Sequence, residues 1–413
     1  MAKAADVTDA ISRYIENSLP IYLIHLPSNQ LMKRGDLVKT FVGFAMDKAT
    51  IHNFLLYNKS EIEKQVRIWV KRGTRYAIFS HRWSNDEPSF EKMRDGKVDI
   101  GSTGGKKLAE FCKRARKFGC EYAWTDTCCI DKANNAEFQE SLNSMFNWYQ
   151  HAMVCIVYLG ETTSMEGMKD DVWFKRGWTL QEILAPMKMR FYNQFWQPLN
   201  NTKPKSYAHP YLRDQDATNY DPRVYDNIKD RDGDVMENFF QQNDKSDKYF
   251  LKLLSGATNI PVEYLKMFTP ESSDIRMKLN WASDRTTTRV EDMAYSLMGI
   301  FDVQLTIMYG EGEKAFFRFQ KEIMERCSEM GLFVWNGQAS RYNSMLAANL
   351  ACFKSPIPNP DLDPDFNRDF DASAEYSRFQ TSRHMESVRL EKLGELPEVC
   401  MAPYHVRLRL ICR

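Results

Sequence analysis

Side chains that could bind or transform a ligand stand directly after three short apolar runs of this chain. A guanidinium can pair with a phosphate group and an indole ring can stack on a planar ring, so together they suit a nucleotide-like ligand. Alternatively, Asp126 caps a turn, His81 is a loop residue whose hydrogen bonds are satisfied, and Trp83 belongs to the core. The side chains are Ser80, His81, Arg82 and Trp83 after the first run, Asp126 and Asp131 after the second, and Glu161 after the third.

A further candidate is Glu182, which stands four positions after Trp178 in a segment predicted to be helical over about 174–185. Side chains four apart share one helix face, so this carboxylate is expected to point inward beside an aromatic ring. A buried carboxylate is costly unless it is paired or functional, and such surroundings tune its pKa. The alternative is a structural glutamate bound to Arg176 or to a loop amide.

Cys128 and His81 allow a weaker alternative, a thiol nucleophile with its base. Adjacent Cys128 and Cys129 at a strand end are more often small buried side chains. Two glycine-rich segments, 104–107 and 310–312, lack the full pattern of a phosphate-binding loop. We therefore expect neither of them to bind phosphate, and we predict no metal site.

The order of the apolar segments predicts an α/β fold. Short strand-like runs alternate with amphipathic helices, which is typical of a parallel sheet with helices on both faces. Ligands of such sheets bind just beyond the carboxyl ends of the strands, where the candidate side chains stand. The predicted strands are 75–80, 122–127, 154–159 and 189–192, and the helices between them centre on 108–118, 138–149 and 174–185.

The chain is predicted to have five parts. The first is a mostly helical lead-in with one extended stretch at 21–24. In the fourth, Thr288 and Glu291 predict a capping box for a helix with Val290 facing inward. The five parts are the lead-in 1–72, the α/β domain 73–199, a mobile insertion 200–247, a helical region 248–335, and a linker with a β-containing tail 336–413.

Composition excludes several classes of protein. The chain has 413 residues with 56 Lys and Arg against 55 Asp and Glu, a net charge of +1, which argues against nucleic acid or an anionic membrane as partner. The longest uncharged apolar run, 152–159, is far shorter than the ~20 residues of a spanning helix. Nine cysteines without a CxxC pair indicate reduced thiols, so we expect a cytoplasmic protein.

Three long motifs resemble the signature blocks of the fungal heterokaryon-incompatibility (HET) domain. Downstream runs at 281–301 and 309–316 are similar to the helical region that follows that domain in many members. The resemblance spans about residues 74–335. The three motifs are YAIFSHRW at 76–83, AWTDTCCIDK at 123–132 and WFKRGWTLQEILAP at 173–186.

This resemblance implies a role in nonself recognition, in which the domain triggers regulated cell death when incompatible cells fuse. It also implies distant kinship to the flavodoxin-like TIR fold, in which a Trp-bearing helix supplies a catalytic glutamate that cleaves NAD. Trp178 and Glu182 are similar to that helix, and Ser80 and Arg82 lie where the fold has its first-strand loop. NAD is then a substrate and no cofactor is required.

The implied chemistry is coherent. Nicotinamide leaves as a stable group and an oxocarbenium-like ribose remains, which a nearby carboxylate stabilises. Arg82 would bind the pyrophosphate, and Trp83 or Trp178 would stack on a ring. The alternative is non-enzymatic: the domain is a self-association or adaptor module, and death follows from assembly with partner proteins.

Overall fold

The computed structural model describes residues 4–200, 243–271, 273–327, 329–354, 401–402 and 405–406. Most of the predicted insertion and the linker, together with the end of the strand-like run at 405–410, lie outside these residues. Within them, no helix is both long and apolar enough to cross a membrane.

The centre of the fold is a six-stranded sheet with the order β2-β1-β4-β3-β5-β6. Strands β3 to β6 are mutually parallel, whereas β1 runs antiparallel to both of its neighbours, β2 and β4. The coarse prediction of an α/β fold with a mostly parallel sheet is therefore confirmed. The strands are β1 (Tyr22–His25), β2 (Gln30–Lys33), β3 (Tyr76–His81), β4 (Tyr122–Trp124), β5 (Val154–Tyr158) and β6 (Met189–Tyr192).

Helices flank this sheet and continue after it. The described residues also contain five short 3-10 helices: Met168–Asp170, Val172–Lys175, Asp244–Ser246, Met330–Phe333 and Leu350–Phe353. The helices are α1 (Ala4–Ser18), α2 (Arg34–Ala45), α3 (Lys48–Leu55), α4 (Lys59–Gly73), α5 (Phe90–Arg94), α6 (Thr103–Lys117), α7 (Asn135–His151), α8 (Thr179–Leu184), α9 (Lys248–Thr258), α10 (Val262–Lys266), α11 (Ile275–Ala282), α12 (Asp292–Tyr295) and α13 (Lys314–Arg326).

Two small hairpins complete the described residues. Strands β7 (Ala339–Ser340) and β8 (Asn343–Ala347) pair with each other. Strands β9 (Met401–Ala402) and β10 (His405–Val406) form a second antiparallel pair. The strand-like run predicted at 405–410 therefore begins where the sequence indicated.

Strand β3 is buried along its whole length, because side chains of both faces meet helices. On one face, the Tyr76 hydroxyl donates to the Trp148 carbonyl in α7. On the other face, the Phe79 ring stacks on Phe111 of α6, with ring centroids 4.4 Å apart. Since successive strand residues alternate between faces, Ser80 points toward α7 and α8, and His81 points toward α6.

The lead-in differs from its prediction in one respect. The extended stretch predicted at 21–24 is present as β1, but a second strand, β2, pairs with it through the register Leu23 to Met32. Both strands are hydrogen-bonded into the main sheet, because Ile24 of β1 pairs with Ala123 of β4.

The predicted helix over 174–185 is wrong in its first part, since α8 begins only at Thr179. A 3-10 helix, Val172–Lys175, precedes it, and Arg176 is extended and pairs with Thr286. The Gly177 amide donates to the Thr286 carbonyl at 2.9 Å. A side chain at Gly177 would meet Thr287 Cγ2 at 2.5 Å. Glycine is therefore needed for this close approach, and the pairing interrupts the helix.

The predicted capping box is also wrong. Glu291 Oε1 accepts hydrogen bonds from the amides of Gly310 and Gly312, at 2.7 and 3.0 Å, rather than closing the start of its own helix. Val290 was expected to face inward but is 48% exposed. A long-range contact replaces the local cap that the spacing indicated.

Both ends of the interval 201–242 are fixed to strand β6. Before the interval, the Leu199 amide donates to the Phe191 carbonyl. After it, Asp244 accepts from the Phe191 amide and from the Arg190 guanidinium, both at 2.7 Å. The next residue, Lys245, donates to two carbonyls at the end of α8.

Candidate functional site

Glu182 is held inside the fold by the end of strand β3. It lies in the first turn of α8 and is only 6% exposed. Ser80, the penultimate residue of β3, donates from its hydroxyl to Glu182 Oε2 at 2.5 Å. The helical carboxylate and the first parallel strand, which the sequence could only place near each other, are in direct contact.

Trp173 completes this buried cluster. Its indole N–H donates to Ser80 Oγ at 2.8 Å, so the hydroxyl accepts from the indole while it donates to the carboxylate. Trp173 is fully buried, and its backbone amide is fixed by the carboxylate of Asp171. The hydrogen bonds of the cluster therefore run from Trp173 through Ser80 to Glu182.

The surroundings of Glu182 raise the pKa of its carboxyl group to about 7. Burial is the main cause, and the negative charge of Asp126 adds to it. The Ser80 hydrogen bond and the positive charges of Arg176 and Arg285 act in the opposite direction. A carboxyl group of this kind changes its protonation state near neutral pH.

A second group of predicted residues lies on the surface above this cluster. Arg82 follows β3 and Glu161 follows β5, and their side chains form an ion pair at 2.6 Å with about half of each exposed. Beside them Trp83, 44% exposed, donates its indole N–H to Asp126 at 2.9 Å. Lys132 Nζ lies 4.1 Å from the centre of the Trp83 ring.

His81 belongs to neither group. Its ring is buried and stacked on Phe79, and its Nε2 lies 3.3 Å from Glu87. This contact is a close approach in poor hydrogen-bond geometry, since both ring nitrogens lack a hydrogen-bond partner among the described residues. Burial lowers the pKa of His81, the Glu87 carboxylate acts in the opposite direction, and the charge of Lys107 adds to the lowering.

Two further predicted residues lie away from Glu182. Trp178 is half-buried at the start of α8 and acts on the pKa of Asp292 in the helical region, so its indole lies near that carboxylate. The side chain of Asp131 accepts from the amide of Ala133 in the following turn. The geometry thus joins Ser80 to Glu182 and Trp83 to Asp126, but it does not bring all the predicted residues together.

The thiol alternative has little support in this geometry. Cys128 is fully buried, and its pKa is raised well above the ordinary range by the neighbouring Cys129 and by burial. A thiol in that state is a poor nucleophile. Among the described residues, no cluster of three or more His, Cys, Asp or Glu side chains could hold a metal ion.

The two glycine-rich segments bind carboxylates of the chain itself. Asp86 accepts from the amides of Thr103 and Gly104 at the start of α6, at 2.6 and 3.1 Å. Glu291 does the same at Gly310 and Gly312. Both segments present amides to an anion, as phosphate-binding loops do, but an acidic side chain already occupies that position.

Sequence reasoning missed Arg285 as a neighbour of this site. Its Nη1 donates to Thr179 Oγ1 at 2.8 Å and to the Arg176 carbonyl at 2.9 Å, which fixes the start of α8 to the helical region. The contact spans 106 positions to Thr179, and no local pattern in the sequence indicates it.

Comparison with known proteins identifies the family of the α/β domain. A family model described as heterokaryon incompatibility protein (HET) matches residues 76–171. The chain is also 34% identical over 262 residues, 60% of its length, to vegetative incompatibility protein HET-E-1 of Podospora anserina. The chain contains a HET domain.

The match to HET-E-1 covers only 16% of that protein, so the chain spans about a sixth of this relative. No solved structure matches the chain. Within the HET domain, the matched residues include Ser80, Arg82 and Asp126 but end before Trp173 and Glu182. The buried cluster therefore joins the matched segment to the residues that follow it.

Glu182 lines neither of two cavities that described residues form beside the HET domain. One, of about 470 Å³, lies beyond the carboxyl ends of β5 and β6 between Thr163 and Leu199. The other, of about 230 Å³, lies between Gly177 and the helical region. In this conformation the carboxylate is enclosed by the protein.

Proposed function

We propose that this protein is an effector of heterokaryon incompatibility that triggers regulated cell death, and that its HET domain hydrolyses NAD with Glu182 as the catalytic carboxylate. The match to the HET family and to a vegetative incompatibility protein supports the general role. The proposed chemistry rests on the hydrogen bond between Glu182 and Ser80 at the carboxyl end of β3.

The sheet topology supports this location. Counted along the chain, the four parallel strands lie in the order second, first, third, fourth, which is the beginning of the flavodoxin-like order. Ligands of such sheets bind beside the first and third strands, here β3 and β5. The ion pair between Arg82 and Glu161 spans that position. The strand order supports a flavodoxin-like, TIR-like fold.

The proposed reaction breaks the bond between nicotinamide and ribose. Nicotinamide leaves with the bonding electrons, and the carboxylate of Glu182 stabilises the positive charge that develops on the ribose. Water then adds to the ribose carbon and loses a proton, giving ADP-ribose. Arg82 would bind the pyrophosphate, and the exposed ring of Trp83 would stack on a base.

Burial sets a condition on this activity. Because Glu182 is 6% exposed and lines neither of these two cavities, NAD can reach it only after the residues that enclose it move apart. The proposed enzyme is therefore closed in this conformation, and assembly or partner binding would open it.

The experiment follows nicotinamide release from NAD by the purified chain and by Glu182→Gln. Loss of a group that stabilises transition-state charge typically costs about 100-fold or more in rate. The exposed Glu166→Gln is the matched control and should keep full activity. Undiminished turnover by Glu182→Gln would exclude the role assigned to this residue.

The enclosure of Glu182 also favours a second candidate, a non-enzymatic self-association or adaptor module. Large apolar side chains are exposed in the N-terminal lead-in, where Phe44 of α2 is 59% exposed and Leu56, just after α3, is 71% exposed. In this case, cell death on expression of the chain would survive Glu182→Gln and fail with Phe44→Ser and Leu56→Ser. Unchanged cellular NAD during death would favour this candidate over the enzyme.

A further inference from the structure

The cavity of about 230 Å³ lies where three parts of the chain meet. Gly177 before α8 contributes one wall, the segment from Ala282 to Ser296 contributes most of the lining, and Leu350 closes the far side. The first two walls are joined by the backbone hydrogen bond from Gly177 to Thr286. A molecule in this cavity would therefore touch the HET domain motif and the helical region at once.

Arg285 supplies a buried positive charge to this lining. Its Nε and Nη1 donate to carbonyl and hydroxyl oxygens of Trp281, Arg176 and Thr179. Its Nη2, although buried, has no hydrogen-bond partner within the described part of the chain. No carboxylate there forms an ion pair with it. The Nε and Nη1 side of the guanidinium is thus fixed by the protein, and the enclosed Nη2 keeps hydrogens that no described residue accepts.

The rest of the lining is suited to an apolar body. Val290, Met293 and Leu350 offer aliphatic surface, and Thr286 adds a hydroxyl-bearing side chain. Val290 is half exposed, so the cavity opens to solvent beside it. A cavity of about 150 Å³ is enough to admit benzene, so this one has room for a ring with an acid group.

We propose that this cavity binds a small organic acid about the size of benzoate. Its carboxylate or phosphate group pairs with Arg285 through Nη2, the nitrogen of this guanidinium whose hydrogens no described residue accepts. Its apolar body packs against Val290, Met293 and Leu350. The bound acid stabilises the contact between α8 and the helical region. The inference does not depend on NAD hydrolysis.

Titration calorimetry on the full chain at low salt tests the chemistry of the ligand. The probes are benzoate and phenyl phosphate, with benzamide as the uncharged control of nearly the same shape. We expect at least one acid to bind with a Kd of about 1 mM or tighter. Benzamide should bind at least about ten-fold more weakly, because it does not pair with the charge of Arg285.

Two variants of one exposed residue test the place of binding. Val290→Glu sets a negative charge at the mouth of the cavity, whereas Val290→Gln has the same shape without the charge. We expect Val290→Glu to weaken binding of the acid about five-fold relative to Val290→Gln. Because Val290 is exposed, both variants should fold, which circular dichroism and melting would verify.

Arg285→Gln then tests directly whether Arg285 binds the acid group, and it should abolish binding of the acid. If that variant does not fold, the comparison of Val290→Glu with Val290→Gln still tests whether the acid binds in this cavity. Failure of both acids to bind, equal affinity for benzoate and benzamide, or equal affinity in Val290→Glu and Val290→Gln would each overturn the proposal.

Discussion

Ser80 and Glu182, separated by 102 positions in the chain, are joined by a hydrogen bond of 2.5 Å. The Ser80 hydroxyl also accepts from the indole of Trp173 at 2.8 Å. A three-residue polar network thus connects strand β3, the turn before α8 and α8 itself. All three residues are buried, so the network has large effects on stability that can be measured without knowing a substrate.

Replacing Ser80 by alanine removes the donor to Glu182. We expect Ser80→Ala to lower the free energy of unfolding by about 1–3 kcal/mol, because a buried carboxyl group loses its partner. The loss should be larger at pH 8 than at pH 6, since the ionised form needs the donor more. Urea unfolding at both pH values measures this. The exposed Ser344→Ala should change stability by less than about 0.5 kcal/mol.

The raised pKa of Glu182 predicts a pH dependence of stability. The pKa of this carboxyl group is 4.5 when the chain is unfolded and about 7 in the fold, so between these values the folded protein binds more protons. Stability from this group is therefore present below pH 4.5 and is lost as the pH rises through 7.

Glu182→Gln should lack this loss. Between pH 5 and pH 8, its free energy of unfolding should improve relative to the parent chain by up to about 3 kcal/mol. Parallel stability curves for the two proteins over that range would show that the pKa of Glu182 is not raised. The measurement is chemical denaturation at matched ionic strength.

Gly177 is required for the contact between the HET domain and the helical region. We expect Gly177→Ala to lower the free energy of unfolding by about 1–3 kcal/mol, because the new Cβ would lie 2.5 Å from Thr287 Cγ2. Gly256→Ala is the control, since nothing lies within 4 Å of its Cβ and it stands inside α9. That change should stabilise the protein by up to about 1 kcal/mol. Equal effects of the two variants would contradict the assignment.

Glu291 should stabilise the fold only while it is ionised. Burial acts to raise its pKa, but backbone hydrogen bonds, including those from Gly312 and Gly310, lower it overall. Its contribution is therefore present above the unfolded value of 4.5 and is lost as the pH falls through the folded pKa. We expect Glu291→Gln to cost about 1–2 kcal/mol at pH 7 and less at pH 3. The exposed Glu325→Gln is the control, and a cost that does not depend on pH would contradict the prediction.

The strands of the sheet could be predicted where they are continuous apolar runs. Strands β3, β5 and β6 begin and end within one residue of their predicted bounds. Burial on both faces leaves an unbroken apolar run in β5 and in the first four residues of β3, whereas β6 contains Arg190. Strand β2, at 30–33, was missed. It is polar at both ends and only partly buried, and its pairing with β1 determines it.

The candidate site was predicted in its parts but not in its connections. The rule for ligand sites in α/β sheets indicated Ser80, and the spacing from Trp178 indicated an inward Glu182. The same spacing could not show that Trp178 lies near Asp292, or that Arg285 fixes the start of α8. Those contacts depend on how the helical region packs on the HET domain, which local periodicity does not encode.

The attachment of Leu199 and Asp244 to one residue, Phe191, has a consequence for how this protein can vary. The chain leaves the sheet and returns to it at the same residue of β6, Phe191. The sheet therefore does not determine how many residues lie between these two contacts. Doubling the length of such an excursion costs only about 0.6 kcal/mol in closure entropy. Relatives could therefore lengthen, shorten or exchange this stretch, or carry a foreign module there, while the sheet and the network around Ser80 stay the same.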